Sequence, residues 1–506
     1  MRKLLLCFLL IISHRLTFAQ TPAFITDSLD SYIRQGMKDW NVPGLAIVIV
    51  KDGKIAFIKG YGVRDTATQQ PVDEHTLFMI ASNTKLFTGT AISQLEYDKK
   101  LSIDDKFTKY YPGFKLYEPA TSQLLTIRDL LCHRIGTKTF QGDFTFWNSH
   151  LTPEQIMQRM KLLKPEAGFR SHYGYCNSCF LAAGEVIPKV TGKSWQQYIK
   201  DSILSALDMR ETFTSVSAVP DKQLLSKAYT TSFTGNLKQV PWDNWDNLAP
   251  AAALISSVSD MSHWLLFQLD SGRYEGKKIM PFSVLQKTRS INTPISSQKS
   301  SMLPTHIVGY GLGLLVGDYN GRQIYWHTGG AAGMVSVVCF VPEERLGMAV
   351  LTNNDNQNLF GALRAQVLDA YTGMPYVNRS KQGLRPFNAT MQDTLKTIHA
   401  WQDRVKGAMP SLPLSAYAGH YTNALYGSLD VKVAADKKRL VVKFNSHDDL
   451  TATLSYMDSN EWLLQYDNIE YGIFSTKFKT AQGKVVSLET KESDFVEEDP
   501  YIFMKQ

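Results

Sequence analysis

The chain has 506 residues, of which 44% are hydrophobic and 11% aromatic, so it can bury a large core and exceeds the usual length of a single domain. Its 54 lysines and arginines against 47 aspartates and glutamates give a net charge of +7, but the basic residues are scattered and form no stripe with aromatic residues. Length and charge therefore favour a two-domain globular protein and give no indication of a nucleic-acid partner.

The first twenty residues have the pattern of a secretion signal. Arg2 and Lys3 precede an apolar run over 4–12, and small residues stand three and one positions before a predicted cut after Ala19. The run is too short to span a bilayer, which disfavours the alternative of an uncleaved anchor. We therefore predict a signal peptide at 1–19. The mature chain is expected to be exported, either to the periplasm or out of the cell, and to have no stable membrane span after cleavage.

The next 350 or so residues alternate between strand and helix patterns. Residues 44–63 read as two apolar strands around an Asp-Gly turn, which predicts a β-hairpin. Helical periodicity then occurs in 83–98, 126–132, 152–161, 180–190, 194–204 and 257–269. Short β-rich runs return at 310–315, 323–326, 334–340 and 347–352. Strands, then helices, then antiparallel strands are typical of an α+β domain, which we place at 20–375.

Beyond residue 375 the pattern changes twice. Residues 376–413 are polar with one weak helical stretch, which is typical of a linker. From 414 to 506 apolar and polar residues alternate in short runs, with Asp, Asn and Gly at the breaks. The tail is therefore predicted to be a separate small antiparallel β-barrel or sandwich.

Four cysteines remain after the predicted signal peptide: Cys132, Cys176, Cys179 and Cys339. Cys176 and Cys179 have the spacing of a redox motif or of half a zinc site, but no second pair or histidine cluster completes four ligands. We therefore predict no metal centre. Two interpretations of the pair stay open, small buried residues or a local disulfide.

A candidate nucleophile lies at the start of the helix predicted over 83–98. A serine hydroxyl must lose its proton to an adjacent base as it attacks, and Ser82-Asn83-Thr84-Lys85 places a lysine one helical turn beyond Ser82. Ser-x-x-Lys is expected by chance about once or twice in such a chain, and Ser296 with Lys299 repeats it in a polar loop. The helix start favours Ser82, with a helix cap followed by a solvated lysine as the alternative.

Two further patterns accompany this pair. Tyr175-x-Asn177 lies between helical segments, and His327-x-Gly329 lies at the end of a predicted strand. Neither pattern is diagnostic by itself, because Tyr-x-Asn occurs four times and His-x-Gly twice. A half-buried core tyrosine and a strand-end histidine with a satisfied hydrogen bond are the alternatives. The order and setting of the three patterns favour a common site.

Ser-x-x-Lys, Tyr-x-Asn and His-x-Gly in this order resemble the motifs of the β-lactamase-related serine hydrolases, which include class C β-lactamases, D-Ala-D-Ala carboxypeptidases, D-aminopeptidases and esterases. The wording around the motifs, as in 80–85 and 125–134, is similar too. The resemblance covers about residues 25–375, and the tail resembles the lipocalin-like domain of some members. The resemblance implies a β-lactamase/transpeptidase-like fold and catalysis without a cofactor. It does not specify whether the protein forms an oligomer, which stays possible.

The resemblance also implies a role for each motif residue. Ser82 would be the acylated nucleophile, Lys85 its base, and Tyr175 a proton relay whose ionised form the lysine charge would favour. Asn177, His327 and Gly329 would bind the substrate. The backbone N–H groups of Ser82 and Gly330 would form the oxyanion hole.

The sequence departs from the β-lactamases at His327, where they carry lysine. Lysine attracts the carboxylate of a β-lactam or of a C-terminal D-alanine, whereas imidazole is mostly neutral at pH 7. We therefore predict a serine hydrolase that cleaves an amide or ester bond, acting on a small peptide, amide, ester or β-lactam. The alternatives are a β-lactamase or D-Ala-D-Ala carboxypeptidase, and a slowly deacylating penicillin-binding sensor. A role for the tail near the site is a further hypothesis.

Overall fold

The structure is a computed structural model that describes residues 21–506. The predicted signal peptide lies outside the described residues. Over residues 21–506, every helix is too short or too polar to cross a lipid bilayer.

The chain opens with a helix and a hairpin. They comprise α1 (Leu29–Asp39), β1 (Gly44–Lys51), β2 (Lys54–Asp65) and β3 (Gln70–Pro71). Asp52 and Gly53 between β1 and β2 both have positive φ, 53° and 78°, as the tight turn of a two-residue hairpin requires. The predicted hairpin is confirmed.

A helical region with short strand pairs follows. Its helices are α2 (Thr84–Tyr97), α3 (Pro119–Leu124), α4 (Ile127–Leu131), α5 (Asp143–Phe146), α6 (Pro153–Arg159), α7 (Asn177–Gly184), α8 (Val186–Thr191), α9 (Trp195–Ile199), α10 (Ala249–Ala252), α11 (Val258–Leu269) and α12 (Phe282–Thr288). Its strands are β4 (Phe78–Met79), β5 (Ala228–Thr230), β6 (Lys238–Val240), β7 (Ile255–Ser256), β8 (Arg273–Tyr274) and β9 (Lys277–Lys278). The helix predicted over 180–190 is divided into α7 and α8.

The main sheet is completed by strands from the second half of this region. They are β10 (Thr293–Ser296), β11 (Val308–Tyr310), β12 (Leu315–Tyr319), β13 (Arg322–Ala331), β14 (Met334–Val341) and β15 (Leu346–Thr352). Within the described residues nine strands pair in the order β10-β11-β12-β13-β14-β15-β1-β2-β3, and all pairs are antiparallel. The predicted antiparallel sheet with a helical region is confirmed.

The prediction of one continuous strand over 310–315 is wrong, because residues 311–314 are not in a strand. The chain leaves the sheet between β11 and β12, where Gly313 adopts φ 91°. A Cβ at Gly313 would lie 2.2 Å from the carbonyl oxygen of Lys85 in α2, so only glycine fits this crossing. The segment between β11 and β12 has an alternating pattern typical of a strand, but it is a loop that packs directly on α2, the helix that carries the candidate base.

Strand β1 divides two cores. Ala46, Val48 and Val50 belong to the cluster that includes α2 and α11, whereas the alternate residues of β1 belong to the cluster that includes α1 and α13 (Leu359–Tyr371). Successive side chains of a strand point to opposite faces, so a strand buried on both faces is uniformly apolar. The apolar run that begins at Gly44 has this cause.

The tail forms a closed barrel of eight antiparallel strands. They are β16 (Gly419–Asn423), β17 (Gly427–Val433), β18 (Leu440–Phe444), β19 (Thr451–Tyr456), β20 (Glu461–Tyr466), β21 (Ile473–Ala481), β22 (Lys484–Thr490) and β23 (Tyr501–Lys505). The segment predicted as a linker contains the 25-residue helix α14 (Arg379–Asp403), followed by the single turn α15 (Leu414–Tyr417). The predicted small antiparallel barrel is confirmed.

A buried carboxylate fastens the segment between α4 and α7. Asp129 is fully buried and accepts hydrogen bonds from the backbone and hydroxyl of Thr126, from Arg134 Nε at 2.7 Å, and from Arg170 Nε at 2.9 Å and Nη2 at 2.7 Å. Removing Asp129 would leave Arg134 and Arg170 without their shared acceptor, but both guanidinium groups reach solvent, so the cost is smaller than for a fully buried pair.

We therefore expect Asp129→Ala to lower the free energy of unfolding by about 2 kcal/mol, the cost of losing several hydrogen bonds between charged groups. Urea denaturation followed by tryptophan fluorescence measures this change. Asp104→Ala is the matched control, because Asp104 makes a comparable pair with Arg128 at the surface, where such pairs contribute less than about 1 kcal/mol. Equal effects of the two substitutions would contradict this account.

Candidate active site

Ser82 lies in a single 3-10 turn, Ala81–Asn83, immediately before α2. Ala81 has φ 45°, a left-handed conformation that is unfavourable for a residue with a side chain. Strand β13 passes close beside this turn, since a Cβ at Gly329 would lie 2.0 Å from the carbonyl oxygen of Ile80. The strained turn and the adjacent glycine strand together present the Ser82 hydroxyl at the surface of a cavity.

Lys85 is fully buried, and its amine has three uncharged acceptors. The Nζ atom lies 3.0 Å from Ser82 Oγ, 2.7 Å from Asn177 Oδ1 and 2.9 Å from the carbonyl oxygen of Ala251 in α10. Burial lowers the pKa of Lys85 to about 7, although the charges of Asp143 and Cys176 oppose this shift. A substantial fraction of the amine is therefore neutral near pH 7 and able to accept a proton from Ser82.

Asn177 is held from behind by a residue that the sequence analysis did not single out. Asn177 Nδ2 donates to Asp143 Oδ2 at 2.7 Å, and both side chains are buried. Burial raises the pKa of Asp143 well above its usual range, while the hydrogen bond from Asn177 opposes that shift. This contact fixes the amide orientation that presents Oδ1 to Lys85.

Tyr175 covers the Lys85 amine, whose Nζ lies 4.7 Å from the centre of its ring. The imidazole of His133 packs against the same tyrosine ring, with the two ring centres 4.2 Å apart. Burial raises the pKa of Tyr175 well above 10, although its contact with the Ser82 hydroxyl opposes the shift. The expectation that lysine favours an ionised tyrosine is therefore wrong for this site, because loss of solvent outweighs the neighbouring charge.

His327 faces the same cavity from β13 and is buried. Its Nδ1 lies 2.5 Å from the carbonyl oxygen of Thr328, and its Nε2 lies 2.9 Å from the hydroxyl of Tyr310. The carbonyl requires a proton on Nδ1, so Nε2 accepts from Tyr310. Burial, reinforced by the charge of Lys85, lowers the pKa of His327 to about 3, and the imidazole is neutral at pH 7.

These groups open into one cavity of about 460 Å³. Ser82, Tyr175, Asn177, His327, Gly329 and Gly330, all predicted from the sequence, line it. Most of the remaining wall is apolar or aromatic and includes Phe140, Trp147, Tyr173 and Trp245. Lys85 lies beneath, where it contacts Ser82 and Asn177. The structure thus brings together all the residues that the sequence placed in the site, whereas Ser296 is exposed at the end of β10.

The barrel also contributes to the cavity wall. Asp494 and Phe495, in the loop between β22 and β23, line it, and the ring of Phe495 lies 2.9 Å from where a Cβ of Gly330 would be. The same ring packs against Trp147, with ring centres 5.7 Å apart. The loop therefore forms part of the cavity wall, and a role for the tail in binding stays a hypothesis.

Glu497 anchors this loop to α5. Its carboxylate accepts hydrogen bonds from the backbone N–H of Gly142 at 2.8 Å and of Phe144 at 3.1 Å, on either side of Asp143. Lys138 and Asp499 add an ion pair at 2.8 Å. Because Asp143 orients Asn177, the barrel is linked through α5 to the candidate catalytic lysine.

Comparisons with known proteins agree with this geometry. A family model described as Beta-lactamase matches residues 29–372, which is well over half of the chain. The chain belongs to the Beta-lactamase family. A second family model, described as a domain of unknown function (DUF3471), matches residues 403–504 and so covers the barrel.

Two curated proteins are similar to this chain. Unguisins hydrolase ungD of Aspergillus violaceofuscus is 25% identical over 436 residues, covering 80% of this chain and 76% of that protein. Protein flp of Staphylococcus aureus is 28% identical over 335 residues, and the match spans 65% of this chain but only 63% of flp. The chain is thus a β-lactamase-related serine hydrolase, and the named substrate of ungD is a property of that enzyme.

A solved structure shares the fold. The octameric penicillin-binding protein homologue from Pyrococcus abyssi superposes with a TM-score of 0.62 at 21% identity, covering 94% of this chain and 99% of that one. The barrel is included in this coverage. At this level of identity the similarity establishes the arrangement of the fold alone.

Several site residues left little signal in the sequence. Asp143 is a single acidic residue within an apolar, aromatic run. A lone acid that such a run would bury is the only local indication of its role. Phe495 and Glu497 lie in an acidic segment of the barrel, more than 400 residues from Ser82, with no local pattern that predicts contact with the site. Within the described residues, no group of three or more His, Cys, Asp or Glu side chains is placed to hold a metal ion.

The pKa of Lys85 makes the pH dependence of activity testable. Lys85 must be unprotonated to accept the Ser82 proton, so kcat/KM for a neutral substrate should rise with pH through about 7 and then level off. No decline is expected below pH 10, because the pKa of Tyr175 is raised. Initial rates between pH 5 and 10, with circular dichroism to verify folding, measure this. A rate independent of pH between 6 and 8 would contradict the role of Lys85.

Proposed function

We propose that the protein is an exported hydrolase that cleaves a neutral amide or ester bond through an acyl-Ser82 intermediate. The observation that carries this proposal is the neutral, hydrogen-bonded His327 at the position where β-lactamases carry lysine. Among the described residues that line the cavity, none is lysine or arginine. A substrate carboxylate would find no fixed cation at this wall, so the site favours substrates without one.

Acylation follows from the hydrogen bonds around Ser82. Lys85 accepts the hydroxyl proton while the Ser82 oxygen attacks the substrate carbonyl carbon. The backbone N–H groups of Ser82 and Gly330 would donate to the carbonyl oxygen as it gains negative charge. Tyr175, which stays protonated, donates its proton to the leaving nitrogen or oxygen and regains one from the Lys85 ammonium. Water then releases the acyl group by the reverse proton transfers.

Asn177 positions the Lys85 amine in this scheme. Its amide oxygen accepts from Lys85, so it holds the amine towards Ser82 during proton transfer. The aromatic wall formed by Phe140, Trp147, Tyr173 and Trp245 would receive an apolar acyl or leaving group, since apolar surface gains most from burial. The aromatic wall therefore supplies most of the substrate binding. The proposed chemistry comes from four polar residues: Ser82, Lys85, Tyr175 and Asn177.

A panel of substrates distinguishes this proposal from its alternatives. The purified protein is assayed with a nitrophenyl ester, D-amino-acid amides and a chromogenic cephalosporin. We expect turnover of the ester or an amide to exceed turnover of the cephalosporin. Efficient cephalosporin hydrolysis without ester or amide hydrolysis would indicate a β-lactamase, and one acylation event without release would indicate a penicillin-binding sensor.

Ser82→Ala should lower kcat by a factor on the order of 10⁴ or more, because the nucleophile is lost. Ser296→Ala is the matched control, since Ser296 belongs to the second Ser-x-x-Lys sequence and lies exposed outside the cavity. We expect the control to retain full activity. Undiminished hydrolysis by the Ser82 variant would overturn the proposal.

Phe495→Ala tests whether the barrel limits the size of the substrate. Removing the ring next to Gly330 enlarges the cavity, so kcat/KM for a bulky acyl ester should rise relative to an acetyl ester, by on the order of tenfold. Ile502→Ala, on the exposed outer face of the barrel, is the control. An unchanged ratio in the Phe495 variant would show that the loop does not select substrates.

Export and assembly complete the proposal. Export follows from the signal pattern at 1–19, and cell fractionation of the full chain tests it. An oligomer is suggested by the octameric state named for the Pyrococcus abyssi homologue. Analytical ultracentrifugation of the purified protein determines whether this chain assembles too.

A further inference from the structure

The middle residue of the Tyr-x-Asn motif is one half of a cysteine pair that the proposed reaction does not use. Cys176 is the N-cap of α7, and Cys179 lies in the first turn of the same helix. Their Sγ atoms are 2.6 Å apart, with the thiol of Cys179 directed at the sulfur of Cys176. Ser178 Oγ lies 3.3 Å from the same sulfur. Two thiols, one inside the Tyr-x-Asn motif and one just beyond it, are thus already in contact.

We propose that Cys176 and Cys179 form an intramolecular disulfide that fixes the segment carrying Tyr175 and Asn177. The proposal rests on the proposed export of the chain and on the proposed roles of Tyr175 and Asn177. Cys-x-x-Cys at a helix start is a spacing that accommodates a disulfide without unwinding the helix. Little movement is required, because a disulfide bond of about 2.05 Å is about half an ångström shorter than the present contact.

The two sulfurs have different chemical characters. Burial alone would raise the pKa of the Cys176 thiol, but hydrogen bonds from Cys179 and Ser178 outweigh it and lower that pKa. Burial, with the adjacent Cys176 sulfur, raises the pKa of Cys179. These pKa differences belong to the folded protein and do not decide which cysteine reacts first in the unfolded chain.

Oxidation requires a partner disulfide, either that of a small molecule such as oxidised glutathione or that of a thiol–disulfide oxidoreductase. The thiolate of one cysteine of the pair attacks one sulfur of the partner and releases the other as a thiolate, which leaves a mixed disulfide. The second cysteine then loses its proton and attacks the sulfur of the first, releasing the second partner sulfur as a thiolate. Two protein thiols are oxidised to one disulfide, and one partner disulfide is reduced to two thiols.

Burial determines when this exchange takes place. Cys176 is 2% exposed and Cys179 is fully buried, so a partner disulfide has no access to them in the folded protein. The bond must form before the core closes, and afterwards the fold protects it from reductants. Cys132 and Cys339 are also buried, and Cys339 lies in the opposite core cluster. Cys132 shares a cluster with the pair and is the alternative partner that the test must separate.

The bond would restrain the segment on which the site depends. The backbone N–H of Cys176 donates to His133 Nδ1 at 3.0 Å, and His133 packs against Tyr175. Asn177, next along the chain, holds Lys85. A covalent link from Cys176 to the first turn of α7 therefore fastens both motif side chains to the same helix.

Peptide mapping of the full chain, exported from cells that have an oxidising compartment, tests the proposal directly. The protein is unfolded in guanidinium with iodoacetamide, digested, and examined by mass spectrometry with and without prior reduction. We expect Cys176 and Cys179 to be alkylated only after reduction, and Cys132 and Cys339 to be alkylated without it. Alkylation of the pair without reduction, or a link to Cys132, would overturn the proposal. The Ser82→Ala variant should give the same map, so this result does not depend on hydrolysis.

Thermal unfolding tests the restraint. Protein folded in the presence of a glutathione redox buffer should unfold a few degrees above protein folded in excess dithiothreitol. Cys179→Ser should remove this difference, whereas Cys339→Ser, the matched control in the other core, should keep it. Equal midpoints for the oxidised and reduced wild-type protein would show that the bond, even if formed, does not fix the segment.

Discussion

The site depends on a lysine amine held in the interior among uncharged acceptors. Lys85 is fully buried, and a hydroxyl, a side-chain amide and a backbone carbonyl surround its Nζ atom. Without water, its charged form is disfavoured, which brings the pKa to about 7 and makes the amine a base at physiological pH. Contacts from distant parts of the chain keep the Lys85 amine in this position. Gly313 lets a loop close against α2 at Lys85, and Ala251 brings the carbonyl of α10 to the amine.

A chain of contacts connects this amine to the barrel. Glu497 holds the backbone on both sides of Asp143, Asp143 orients Asn177, and Asn177 accepts from Lys85. The same barrel loop places Phe495 over Gly330 in the cavity. The barrel therefore has two routes of influence, one through the position of the base and one through the shape of the substrate cavity. Neither requires the barrel to contain a catalytic group.

Local patterns predicted much of this architecture. The Asp-Gly turn and the apolar run of β1 each have a local physical cause, so the hairpin and the buried strand were predictable. The motif residues Ser82, Lys85, Tyr175 and His327 were identified because their chemistry is specific and their order matches a family. The break at Gly313 was not predictable, since its cause is the approach of α2, which is distant in sequence.

The remaining differences arise from burial, which a sequence specifies poorly. The charge state of Tyr175 follows from its loss of solvent and not from the nearby lysine, and this reversed the expectation for that residue. The roles of Asp143, Phe495 and Glu497 are created by tertiary contacts between segments far apart in the chain. Such contacts leave no periodic or motif signal within either segment.

Acylation of Ser82 during turnover is the step on which the proposed function depends. Rapid chemical quench of the enzyme with an ester or amide that it hydrolyses, followed by mass spectrometry of the digested protein, measures this directly. We expect the acyl group on the peptide that contains Ser82, where it should appear within the first turnover and disappear as the substrate is exhausted. Turnover without any adduct on Ser82, or with the adduct on another residue, would contradict the proposed function.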